Sequence, residues 1–157
     1  MSATPKYMAV QGAAMIVAGA LILIGALGFI PGVTSGLDQL AWLGRDSGAR
    51  LFGTFAVCAA INVMHIVIGA AGFYFARTYA GSRGYLLVAG ALYLALWFYG
   101  MFVEFGSDAH VIPLNSATNL LYLGLAIVLM LLAVTLAGQR DPTKRRPRPR
   151  IRRAASH

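Results

Sequence analysis

Four stretches of this chain, at about residues 8–30, 57–76, 86–105 and 117–136, are almost wholly apolar. At about 1.5 Å of rise per helical residue, each is long enough to cross the roughly 30 Å hydrocarbon core of a bilayer. A backbone crossing hydrocarbon must satisfy its own hydrogen bonds, so runs of this length read as helices. The prediction is an all-α protein, a four-helix transmembrane bundle occupying residues 1–139 with no soluble domain left over. Composition agrees: 59% of the 157 residues are hydrophobic, 11% are charged and the mean hydropathy is +0.70. A soluble core of this size cannot hide that much apolar surface. Lys6 precedes the first run as it would in a signal peptide, but the run exceeds the roughly 7–15 apolar residues of such a peptide, and it is expected to be retained.

Charge sets the expected orientation. Thirteen Lys and Arg residues oppose five Asp and Glu, and eight of the thirteen fall in residues 140–157. The basic excess is therefore a tail rather than a property of the whole surface, and nucleic acid is not the expected partner. Proline punctuates this tail, so an extended, disordered cytoplasmic segment is predicted. Its Lys144, Arg145, Arg146, Arg148, Arg150, Arg152 and Arg153 suit anionic lipid headgroups, at about 1 kcal/mol per basic residue near the surface. Lys6, Arg77, Arg83 and the tail lie on one side of the predicted spans, and only Arg45 and Arg50 on the other. The positive-inside rule then places both termini in the cytoplasm.

The chain also repeats itself. VAGAL occurs at 17–21 in the first span and at 88–92 in the third, and Asn62-x-x-His65 in the second is echoed by Asn119-x-x-Tyr122 in the fourth. Two parallel-repeat helical hairpins related by an axis along the membrane normal are expected. The first hairpin carries the longer outer loop, PGVTSGLDQLAWLGRDSGAR, which opens on a Pro-Gly turn and is read as a cap over the bundle. Within it LDQLAWLG is predicted as a short interfacial helix with Trp42 at headgroup level. The second outer loop presents Asp108 and His110, read as solvated.

Polar side chains inside the spans are few. Asn62, His65, Gly69 and Gly72 share one helical face, and Tyr93, Trp97, Gly100 and Glu104 share another. Facing lipid, such polar groups would cost several kcal/mol, so these faces must turn inward, with glycines letting neighbouring backbones approach. His65, Trp97 and Tyr122 come out at a similar depth, on the order of 10 Å below the outer surface at about 1.5 Å per residue. A polar and aromatic cluster of Asn62, His65, Trp97, Asn119 and Tyr122 is expected in the outer half, with Glu104 near its mouth.

Two functions follow from this reading. In the first, the chain is a non-catalytic structural or accessory subunit packed in a larger membrane complex or a homo-oligomer, and Asn62 and His65 hydrogen-bond between helices. In the second, it is a small-ligand or proton binding or transport module, open to the outer face, with His65 as acceptor and Glu104 as acidic partner. Catalysis is not expected, since no GxSxG, HExxH or Walker pattern occurs. No metal or cofactor is expected either. His65 is the sole histidine within the spans, so a haem held by two histidines would need one from each of two chains. Cys58, the only cysteine, excludes an intrachain disulfide and is read as a small buried apolar residue.

The segments GALGFIPGVTS, NVMHIVIGAAGFYFAR, YLLVAGALYLALWFYG and PLNSATNLLYLGLAIVLM resemble the domain of unknown function 4383, small four-span membrane proteins found mainly in actinobacteria. The resemblance covers roughly residues 10–137 and implies a bacterial inner-membrane location with no established activity. That family usually shows Asp-Asn-x-x-His at the start of the fourth span, where this chain has Thr118, Asn119 and Tyr122. If two facing histidines were the family's functional pair, this chain has lost one of them.

Overall fold

The computed structural model describes residues 8–44, 47–104, 107 and 109–136. It is all-helical in its main elements, with four helices: α1 (Ala9–Leu27), α2 (Ala59–Phe75), α3 (Tyr79–Phe102) and α4 (Ser116–Thr135). Of these, α1, α3 and α4 are long and apolar enough to cross a membrane, whereas α2 has 17 residues and a rise of about 25 Å. The predicted basic tail, with Lys144 through Arg153, lies outside the described residues, as do Lys6, Arg45 and Asp108.

Each helix start is fixed by an identifiable partner for its orphan amide donors. The Met8 amide donates to Gln11 Oε1 (3.0 Å), and the same Gln11 carboxamide donates from Nε2 to the Ala76 carbonyl at the far end of α2 (3.0 Å). One side chain thus starts α1 and pins the α2 terminus. Cys58, at the N-cap of α2, makes no side-chain cap; instead the amides of Ala59 and Ala60 donate to the carbonyls of Ala41 and Trp42 in the α1–α2 loop. Thr78 and Asn115 cap α3 and α4, accepting from the amides of Gly81 (3.0 Å) and Thr118 (2.8 Å).

The helices pair as α1 with α2 and α3 with α4, and the two pairs meet chiefly through α1–α3 and α2–α3. One core runs between them, from Val10 and Ala133 at the end carrying the α2–α3 turn to Leu96 and Leu114 at the other. A satellite core of Ala49, Leu51 and Val57 packs on Ile24 and Leu27 at the end of α1.

Three elements depart from the sequence-based expectation. The segment RTYAGSRG (77–84), which falls between the second and third predicted spans, is mostly the beginning of α3, which starts at Tyr79 and ends at Phe102. The expected helix over LDQLAWLG is a single 3₁₀ turn, Leu37–Gln39, with Trp42 exposed. The long α1–α2 loop also folds a three-stranded antiparallel sheet, β1 (Thr34–Ser35), β2 (Arg50–Leu51) and β3 (Phe55–Ala56), with Thr34 opposite Leu51 and Leu51 opposite Phe55. The turn between β2 and β3 holds Phe52 and Gly53 at φ of 53° and 69°. The Thr34 hydroxyl donates to the Leu27 carbonyl (3.0 Å), so the sheet also closes the end of α1.

Candidate buried polar site

The α2 face foreseen from spacing is buried as a unit: Asn62, His65, Gly69 and Gly72 all point into the core. Its glycines are places of backbone contact. A Cβ at Gly69 would lie 2.6 Å from the Ala18 carbonyl oxygen of α1, and one at Gly72 would lie 2.6 Å from the Tyr85 hydroxyl. The two asparagines occupy like positions. Asn62 fills the space beside Gly28, just past α1, and Asn119 fills the space beside Gly100 of α3; a Cβ at either glycine would collide with the carboxamide.

One turn deeper, three rings from three helices meet. The centroids of His65 and Tyr93 are 5.7 Å apart, those of Tyr93 and Tyr122 5.8 Å, and those of His65 and Tyr122 6.5 Å, all tilted. Their exposures are 4%, 0% and 1% for His65, Tyr93 and Tyr122, so the set is sealed by the surrounding helices. His65 Nδ1 lies 2.7 Å from the Ile61 carbonyl oxygen of its own helix. A carbonyl can only accept, which assigns the proton of the neutral ring to Nδ1 and leaves Nε2 as an acceptor. Among the described residues His65 Nε2, the hydroxyls of Tyr85, Tyr93 and Tyr122, Asn62 Nδ2 and Asn119 Oδ1 are buried with no hydrogen-bond partner. The expected helix-to-helix hydrogen bonds of Asn62 and His65 are therefore not formed. Ring contact and close backbone approach hold this region together.

The site differs from expectation in its third-span member. Trp97 is half-buried, with its ring against Phe98 at 4.8 Å, whereas Tyr93, one turn earlier on the same face, joins His65 and Tyr122. Glu104 lies beyond the end of α3 and is exposed, so it neither closes the cluster nor faces His65. Tyr85 was missed as well; its spacing of i, i+4, i+8 with Ala89 and Tyr93 is the signal that places all three on the buried face. Asn62, His65 and Tyr122 are buried and Asn119 is partly buried. Among the described residues no group of three His, Cys, Asp or Glu side chains could hold a metal ion.

At the end beyond Asn62 and Asn119, the α1–α2 and α3–α4 loops are bonded together. The Gly44 amide donates to Val111 O (2.8 Å), Asn115 Nδ2 to Thr54 O (2.7 Å) and the Thr118 hydroxyl to Ala56 O (3.3 Å). His110, expected in solvent, is buried here, accepting at Nε2 from the Leu114 amide (3.4 Å) beside a cavity of about 170 Å³ that Arg50 and Asn115 also line.

A family model described as a domain of unknown function, DUF4383, matches residues 11–135. The chain belongs to the DUF4383 family. The match runs from Gln11, in the first turn of α1, to the end of α4 and takes in the α1–α2 and α3–α4 loops, so the buried His65, Tyr93 and Tyr122 lie wholly inside the family's domain. No curated protein and no solved structure matches this family member.

Proposed function

We propose that this DUF4383 protein is a multi-pass protein of the bacterial cytoplasmic membrane, a bundle of four spans with both termini on the cytoplasmic side, acting as a non-catalytic subunit of a larger membrane assembly or homo-oligomer. The observation that carries the membrane reading is an inverted distribution of polarity. Ile16, Val67, Val88 and Leu120, one on each helix, are exposed, while Gln11, Asn62, His65, Ser82 and Thr118 are buried. In water this arrangement would be unfavourable on both counts; in hydrocarbon it is the favourable one. The short α2 fits with modest local thinning or flanking extended residues.

Burial supports two like hairpins. Ile61, His65, Gly69, Gly72 and Ala76 are buried along α2 and its end, and Thr118, Tyr122, Ala126, Leu129 and Ala133 are buried along α4 at the same spacing. Gln11, Ala14 and Ala18 correspond likewise to Ser82, Tyr85 and Ala89, in the register set by VAGAL.

The accessory role is supported by how the interior is filled. Glycine contacts bring α1 against α2 and α3 against α4, the outer loops are tied across one end, and the stacked Phe98 and Phe102 face outward with Met101. The basic tail adds contacts to anionic headgroups. Isolation in mild detergent followed by mass spectrometry tests this reading. A stoichiometric protein partner or a discrete oligomer is expected, unchanged in His65→Phe, which keeps a ring in the same packing; a monomer without a partner would overturn it.

A second reading, a small hydrogen-bonding guest or a proton held at His65, is favoured by the bare Nε2 beside two phenols without partners. It requires that His65→Phe remove binding or proton flux in reconstituted vesicles while assembly stays intact.

A further inference from the structure

At the end of the molecule opposite the outer loops, α2 and α3 separate and leave a lateral groove of about 410 Å³. Ile68, Ala71 and Phe75 of α2 form one wall, and Gly84, Val88 and Leu92 of α3 the other. The α3 stripe follows i, i+4, i+8 spacing over about 12 Å at about 1.5 Å per residue. Gly84 keeps the wall open, since a Cβ there would meet nothing within 4 Å. A helix about 10 Å across and of that length needs roughly twice the volume of the groove, whereas a flexible hydrocarbon chain fits it.

The groove ends at the α2–α3 turn, where Arg77 is exposed with its guanidinium 5.1 Å from the Tyr74 ring centroid. Arg83 is exposed on the next turn of α3. No acidic residue occurs anywhere in residues 47–103, so the cations at this turn have no carboxylate on either helix. An apolar groove leading to positive charge that no carboxylate of α2 or α3 opposes is complementary to a lipid with an anionic head. We propose that an anionic phospholipid of the surrounding bilayer binds here, one acyl chain lying between α2 and α3 and its phosphate meeting Arg77.

This inference rests on the membrane reading above, and the test separates the two. Detergent-free extraction of the chain would overturn the membrane reading before any lipid is added. Native mass spectrometry is then performed on the full chain in mild detergent with equal amounts of phosphatidylglycerol or phosphatidylcholine. Wild type is expected to retain phosphatidylglycerol about fivefold better, the equivalent of about 1 kcal/mol for one basic residue near a headgroup. Arg77→Gln should lower phosphatidylglycerol retention about fivefold relative to wild type at unchanged phosphatidylcholine, whatever share the basic tail holds remaining in both. Gly84→Leu fills the groove and should abolish phosphatidylcholine retention and lower phosphatidylglycerol at least as far as Arg77→Gln does, with helicity kept and no loss of melting temperature. Should Gly84→Leu fail to fold, Val88→Phe occupies the same space from a position that is 71% exposed. Equal retention of the two lipids by wild type, or full phosphatidylglycerol binding by a folded groove-filling variant, would overturn the proposal. So would a protein partner cross-linked through Val88.

Discussion

The Tyr122 hydroxyl is buried, 1% of the residue remains exposed, and no acceptor reaches it. A buried hydroxyl without a partner contributes no hydrogen bond to lose, so Tyr122→Phe should change stability by less than about 0.5 kcal/mol or raise it slightly. His65→Ala removes a ring packed on two tyrosines and should cost about 2–4 kcal/mol through the cavity left behind. Unfolding in detergent measures both; a loss above about 1.5 kcal/mol for Tyr122→Phe would mean that its hydroxyl has a partner. The glycines divide just as sharply. Gly69→Ala would drive a methyl against the Ala18 carbonyl and the Ile22 side chain, and should cost about 1–3 kcal/mol. Gly124→Ala enters open space on α4 and should instead stabilise by about 0.5–1 kcal/mol, from the reduced freedom of the unfolded chain. Equal effects for the two would contradict the assignment of which glycines are contact points.

Among the elements, α3 shows where sequence and structure part. Gly81, Ser82 and Gly84, flanked by Arg77 and Arg83, carry the composition of a turn, yet they form its first turns because Thr78 caps the helix and the Ser82 hydroxyl donates to the Thr78 carbonyl (2.8 Å). Thr78→Ala should cost about 1 kcal/mol and speed hydrogen exchange at Gly81 and Ser82 first. Unchanged exchange there would mean that packing alone holds that turn. A second misreading, at the other end of α3, displaced the site. Expecting the third span to end near residue 105 rather than Phe102 shifts depth by about one turn at 1.5 Å per residue, enough to select Trp97 in place of Tyr93. The α2 face was legible because four small or polar residues stand out against an apolar run at strict helical spacing. Two-residue strands leave no alternation to read, so the sheet over α1 was not legible. Glu104 was assigned to the mouth by extending helical periodicity past the point where the helix ends.

For the whole molecule, orientation is the property that the apolar surface alone cannot determine, since a bundle with hydrocarbon-facing sides is stable either way up. Charge breaks that symmetry: Arg77 and Arg83 mark one end of the bundle and Arg50 the other, with most remaining basic residues in the tail. Native Cys58 is fully buried, so impermeant maleimide should leave the wild-type chain unlabelled and single introduced cysteines can be read against a silent background. Phe52→Cys, on the exposed turn between β2 and β3, should be labelled in intact cells, whereas Ala80→Cys, exposed on the first turn of α3, should be labelled only after permeabilisation. The reverse pattern would invert the topology and place the lipid groove in the outer leaflet. Labelling of both in intact cells would remove the premise that α2 crosses the membrane, the one helix whose 17 residues make that crossing a matter of packing and not of length alone.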